Sequence, residues 1–262
     1  MRIWWQSSTM IHTNELTEYR EALTRHLHSV KRPDTEISIK GVEKGSLALH
    51  FNSTVALNSF APGGVLDQLI QANREGYDAA AIGCFLDPAL QEARELTDIP
   101  IFGLAETSMH MACMFGNTFS GIAFSDKQAQ YYDAIVRKYG LEKRAVPFAS
   151  LGIDLEQVQK GFTDPKMIMA PFLRCLKELS KAGAEVILPA CACVNTIVVN
   201  EKMTEVEGML ILDINALLLK VTEAMAGFYK LYGVSRSRKL LYQKPVDENL
   251  SQILKTYRFK LG

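Results

Sequence analysis

Short apolar runs alternate with amphipathic segments along most of this 262-residue chain. Runs of four to six apolar or β-branched residues predict strands near 1–6, 36–41, 78–83, 99–104, 119–124, 145–150, 185–190 and 209–212. Segments with apolar positions three and four apart predict helices over 13–30, 64–75, 87–97, 126–139, 165–182 and 214–230. Strands that alternate with helices in this way pair in parallel, so the predicted class is α/β. Asp87-Pro88, Asp126 and Asp164-Pro165 each put a carboxylate where a helix N-terminus needs an acceptor. Gly63-Gly64 lacks the spacing of a phosphate-binding loop and reads as a turn before a helix.

Two stretches of the pattern match without a gap. Residues 64–84 read GVLDQLIQANREGYDAAAIGC, and 171–191 read PFLRCLKELSKAGAEVILPAC. In both, an amphipathic helix stops at a glycine, Gly76 or Gly183, suited to a left-handed helix end. An acid follows two residues later (Asp78 or Glu185), then a buried strand, then a cysteine eight residues past the glycine: Cys84 or Cys191. Ligands of open α/β sheets bind beyond the carboxyl ends of the strands. Two such lobes, facing each other about a pseudo-twofold axis, would hold one thiol on each side of a shared cleft. A thiolate opposite a thiol suits moving a proton from one face of a carbon to the other. A helix beginning just after each cysteine, near Asn195-Thr196 in the second lobe, would lower the thiol pKa through its N-terminal dipole. Cys193 is a rival to Cys191 for the cleft-facing position.

Composition narrows the partners. Lys plus Arg equals Asp plus Glu at 29 each, so no net field favours nucleic acid or an anionic membrane. No apolar run is long enough to cross a bilayer, and MRIWWQSST lacks the pattern of a secretory leader. Five scattered cysteines, an odd number, argue for free thiols and a cytoplasmic location. Cys191 and Cys193 lack the further ligands that a metal site needs. Residues 233–262 carry seven basic residues against two acids and read as a solvated arm or subunit contact.

The block IGCFLDPALQEARELTDIPIFGLAETSMHMA (82–112), with GAEVILPACA (183–192), resembles the aspartate/glutamate/hydantoin racemase superfamily, nearest its hydantoin racemase branch. FSGIAFS and the Leu212-Asp213 step extend the resemblance over roughly 1–230. It implies two flavodoxin-like lobes with the active site in the cleft between them, and catalysis by Cys84 and Cys191 without metal, pyridoxal phosphate or other cofactor. On this frame the first lobe takes 1–108 with 209–232, the second 109–208, and the basic arm 233–262. The expected activity is racemisation of a 5-substituted hydantoin or amino-acid derivative. Maleate-type isomerisation, arylmalonate-type decarboxylation and non-catalytic binding of a small ligand are the alternatives.

Two departures stand out. Gln6-Ser7-Ser8-Thr9 replaces an Asn-Pro-Asn type turn, and Ala192-Cys193 replaces the Thr-Glu that follows the second cysteine in amino-acid racemases. Substrate contacts are expected from Gln6, Ser7, Ser8, Phe85, Glu106, Ser125 and Ala192. Glu106 and His110 share a helix face, and Asn195 follows a strand end. Cys113 and Cys175 read as packing residues, and His12, His26, His28 and His50 as surface or structural ones. The stretch 44–62, with Phe51, Asn52, Ser53 and Thr54, is a candidate selector of side chains. A homo-oligomer acting on a small molecule is expected, with neither nucleic acid nor membrane as partner.

Overall fold

The computed structural model describes residues 1–42 and 64–244, together with Gln252. The candidate selector 44–62 and residues 245–262 of the arm, Gln252 apart, lie outside the described residues.

The first sheet is built from β1 (Arg2–Gln6), β2 (Glu36–Lys40), β3 (Ala79–Ile82) and β4 (Ile101–Gly103), all parallel, in the order β2-β1-β3-β4. The second contains β5 (Phe119–Ala123), β6 (Ala149–Ser150), β7 (Val186–Pro189), β8 (Glu205–Val206) and β9 (Met209–Ile211), in the order β6-β5-β7-β9-β8. The parallel part of the second sheet therefore repeats the first, and β8 adds an antiparallel edge. The alternation along β1 explains its double-sided burial. Ile3 and Trp5 join the core shared with the second half of the chain, while Trp4 joins a separate cluster with Val65, Leu69 and Ile82.

Among the described residues the helices are α1 (Thr17–Val30), α2 (Val65–Arg74), α3 (Leu90–Leu96), α4 (Leu104–Phe115), α5 (Asp126–Lys138), α6 (Leu155–Lys160), α7 (Lys166–Lys181), α8 (Ala192–Asn200) and α9 (Ile214–Tyr232). The two matched segments of sequence are the α2–β3 and α7–β7 units. Gly76 and Gly183 both take positive φ, +69° and +86°, and end their helices as the spacing predicts. The acids that follow do equivalent work: Asp78 accepts the Arg2 N–H at 2.7 Å and Glu185 accepts the Asn117 N–H at 2.6 Å. Each carboxylate thus ties the start of a central strand to the approach of its neighbour.

Several expectations change. β9, expected with the first lobe, is hydrogen-bonded beside β7 in the second sheet, and only α9 crosses back to pack on β3, β4 and α4. β8 and α6 carry too few apolar residues for periodicity to show them; α6 is marked instead by a reciprocal Asp154–Gln157 cap. α8 begins at Ala192, with Cys191 as its N-cap residue, three residues before the expected start.

The arm is more than a solvated tail over its described part. Arg236 donates to the carbonyls of Arg94, Thr97 and Ile99, and Arg238 to those of Arg94, Glu95 and Thr97, clasping the end of α3. Cations at a helix C-terminus satisfy its orphan carbonyls and oppose its negative end.

One glycine next to Cys84 is fixed by a neighbour. A Cβ on Gly83 would lie 2.4–2.8 Å from three atoms of the rigid Trp5 indole. Gly83→Ala is expected to cost about 1–3 kcal/mol, read as a lower urea midpoint. Gly227→Ala, in open space within α9, should be neutral or gain up to about 1 kcal/mol.

Candidate active site

β3 and β7 are interior strands of their sheets, and each cysteine stands two residues past its strand: Cys84 after Ile82, Cys191 after Pro189. The two strand ends meet at one pocket. It is lined by Ser7, Ser8 and Thr9 after β1, by Gly83 to Leu86 after β3, and by Cys191 to Cys193 entering α8. Tyr19 from α1, Phe124, and Gln128 and Tyr132 from α5 complete it. Part of the wall is aromatic: Phe85 meets Tyr132 edge-on with ring centres 4.9 Å apart, and Phe148 backs both rings. Every side chain in this described lining is uncharged in its ordinary state, apart from the ionisable thiols and phenols.

The thiols differ in ionisation. Burial pushes Cys84 up to about 11, outweighing the Ser8 hydroxyl and the Leu86 N–H, which favour its thiolate. Cys191 is held below the usual thiol value. The Cys193 S–H is the main cause, acting against burial, and the N–H groups of Val194 and Cys193 in the first turn of α8 add to it. Cys193 is pushed the other way by its bond to Cys191, by burial and by the Cys191 charge. Its sulfur is in turn approached by the Tyr19 hydroxyl and by Gln159 Nε2 at 3.6 Å. The site is therefore asymmetric: Cys191, donated to by Cys193, ionises more readily than Cys84.

Of the residues expected to touch substrate, Ser7, Ser8, Phe85 and Ala192 line the pocket with the two cysteines. Gln6, Glu106 and Ser125 do not. Gln6 is fully buried behind the pocket, accepting from Trp4 Nε1 at 2.8 Å and donating to the Ser7 carbonyl at 2.8 Å, so it braces the Ser7–Thr9 turn. Glu106 is taken by a two-pronged pair with Arg94, at 2.8 and 2.5 Å. Ser125 is the N-cap residue of α5, and its carbonyl accepts from Gln128 and Ala129. Strand-end polar residues serve caps as readily as ligands, and in these three the structural use takes the side chain or backbone.

Asp87 also departs from expectation. It lies at φ +45°, and α3 starts only after Ala89, so it does not cap α3. Its carboxylate accepts instead from the N–H groups of Ala105 (3.0 Å) and Glu106 (2.7 Å) at the start of α4, and from the Tyr139 hydroxyl (2.6 Å). Because β3 and β4 are neighbours, the loop after β3 lies against the helix after β4. Burial raises Asp87 to about 6 despite these three donors. Its own N–H donates to the Cys84 carbonyl at 3.0 Å, so the loop carrying Cys84 is pinned to α4.

On the opposite wall Asn195 does similar work. It donates to Asp213 Oδ1 at 2.9 Å and accepts from the Ile214 N–H at 3.0 Å, while His26 Nε2 lies 2.8 Å from Asp213 Oδ2. Asn215 donates to the Ala192 carbonyl at 3.0 Å. These contacts lock α8, whose N-terminus faces Cys191, to the start of α9. Tyr19, Gln128 and Tyr132 carry no signal in the sequence, because they come from helices distant in the chain and look like ordinary amphipathic residues.

Comparison with known proteins agrees with this architecture. The family model described as Asp/Glu/Hydantoin racemase matches residues 12–222. A hydantoin racemase from Paenarthrobacter aurescens is 25% identical over 241 residues, covering 91% of this chain and 97% of that protein. In three dimensions, an allantoin racemase from Pseudomonas fluorescens superposes with a TM-score of 0.76 at 20% identity, over 94% of this chain and 97% of that one. A glutamate racemase from Bacillus anthracis gives a TM-score of 0.59 at 13% identity, over 98% and 94%. No helix among the described residues is long and apolar enough to cross a membrane. With the family model matching most of the chain, both strand-end cysteines included, the chain belongs to the Asp/Glu/Hydantoin racemase family.

Proposed function

We propose that this protein is a cofactor-independent racemase of an uncharged cyclic ureide, a 5-substituted hydantoin or a close relative such as allantoin. The carrying observation is that Cys84 from one half of the chain and Cys191 with Cys193 from the other line a single pocket whose described walls offer no cation or carboxylate. Aspartate, glutamate or maleate would enter with charges that meet no opposite charge in the described lining, and a buried charge without one costs several kcal/mol. A hydantoin ring is neutral, and its C5–H is activated by the adjacent carbonyl.

The chemistry rests on the ionisation states. The Cys191 thiolate takes the C5 proton, and the electron pair moves into the carbonyl as an enolate. The Cys84 thiol then delivers its proton to the opposite face. The product is the other enantiomer, with Cys84 now the thiolate and Cys191 the thiol, so the reverse reaction runs with exchanged roles. The hydroxyls of Ser7, Ser8 and Thr9 are the polar groups at hand for the ring carbonyl oxygens. The relative named hydantoin racemase and the fold shared with an allantoin racemase support the same substrate class.

Chiral chromatography tests the substrate class. Incubation with single enantiomers of 5-benzylhydantoin, allantoin, aspartate and glutamate should racemise a cyclic ureide at least about a hundredfold faster than either amino acid, the discrimination expected when a site must strand a buried charge. Preference for aspartate or glutamate overturns the reading.

A further inference from the structure

One pocket residue is left unexplained by the proton transfer. Gln128 lies in the first turn of α5, is 6% exposed, and lines the pocket with both cysteines. Its Oε1 is buried without a hydrogen-bond partner among the described residues. Buried amide oxygens are nearly always matched, so an orphan on a residue that lines a ligand pocket is a group waiting for that ligand. A primary carboxamide presents an acceptor and a donor side by side. Its complement is a ring –NH–C(=O)– unit whose N–H and C=O point the same way, as they must in a five-membered cyclic ureide. Free α-amino acids lack that edge, and a carboxylate can only accept.

Resting on the ureide reading above, we propose that Gln128 is the specificity-determining residue that pairs with the cis-amide edge of the substrate ring. Two parallel hydrogen bonds fix the ring's rotation in its own plane. The aromatic side chains of Phe85 and Tyr132 bound the same space. C5 is then held with its hydrogen toward one sulfur and its opposite face toward the other.

The test compares kcat/KM for 5-benzylhydantoin and its N1-methyl and N3-methyl derivatives, in the native enzyme and in Gln128→Met, which keeps the length but cannot pair. In the native enzyme one N-methyl derivative should fall at least tenfold. In Gln128→Met the parent compound should fall at least tenfold, and the penalty for that same methyl group should shrink to within twofold. Full activity of Gln128→Met on the parent, or reduced activity with the methyl penalty intact, overturns the assignment. So does a native enzyme indifferent to both methyl groups, a result that needs no variant to fold. A native enzyme that racemises amino acids and no hydantoin of any methylation pattern marks failure of the ureide reading itself, and the assignment falls with it.

Discussion

Cys84→Ala and Cys191→Ala should each bring racemisation of a hydantoin to background, and they should fail in different ways. Positioned acid–base groups contribute about 10²- to 10⁴-fold, and inversion needs both of them in one turnover. Removing Cys84 leaves the Cys191 thiolate with its donors from Cys193 and α8 intact. That thiolate still takes the C5 proton from the enantiomer facing it. With nothing to protonate the far face, it returns a solvent-derived deuteron to the same side. In D₂O, Cys84→Ala should therefore exchange C5–H of one enantiomer with retention and leave the other enantiomer untouched. Removing Cys191 leaves Cys84, whose thiol burial pushes up to about 11. At pH 8 only about one molecule in a thousand would carry a thiolate there, so exchange should be nearly lost for both enantiomers. NMR of the C5 proton and chiral chromatography of the same samples read both quantities. Native-like racemisation by either variant, or two-sided exchange by Cys84→Ala, would sink the two-thiol mechanism.

That asymmetry is not legible in the chain as written. The sequence places two cysteines in equivalent positions of matched units, and equivalence suggests two equivalent thiols. The difference arises from the backbone immediately C-terminal to each cysteine. After Cys191, α8 begins at once, so its first N–H groups and the Cys193 side chain favour the anion. After Cys84, an irregular turn through Asp87 and Ala89 separates the cysteine from α3, and one hydroxyl and one N–H are too few to offset burial. The parallel α/β class, the glycine stops at Gly76 and Gly183, and the strand-end placement of both thiols are legible because they rest on local periodicity and chain geometry. Gln6, Glu106 and Ser125 mislead because a polar residue after a strand reads alike whether it faces a ligand or ties a turn. Tyr19, Gln128 and Tyr132 stay hidden for the converse reason. They reach the pocket only through tertiary packing of α1 and α5, which single-chain periodicity does not encode.

Cys193 offers the sharpest check on which thiol of the pair is the base. Its S–H donates to Cys191, and it is itself held as a thiol by that bond and by burial. Cys193→Ala keeps the backbone N–H groups of α8 but deletes the S–H donor. The Cys191 thiol must then titrate at higher pH, since the bond that favoured its anion is gone. Below the new value the active thiolate falls tenfold for each unit of pH. The acidic limb of the kcat/KM profile in the direction that uses Cys191 as base should accordingly shift to higher pH. Activity near pH 7 should drop by about tenfold for each unit of that shift, and activity at the alkaline end should return toward native. Cys193→Ser restores an O–H donor and should move the limb back toward its native position. If Cys193 were itself the base, neither pattern could appear: alanine would remove activity at every pH, and serine would not rescue it, because a hydroxyl is far too weak an acid to supply the anion. Circular dichroism of both variants separates this from misfolding, since loss of one buried sulfur in the first turn of α8 should cost only about 1 kcal/mol. A shifted limb with a serine rescue identifies Cys193 as the donor that keeps Cys191 ionised, and the reacting sulfur as Cys191.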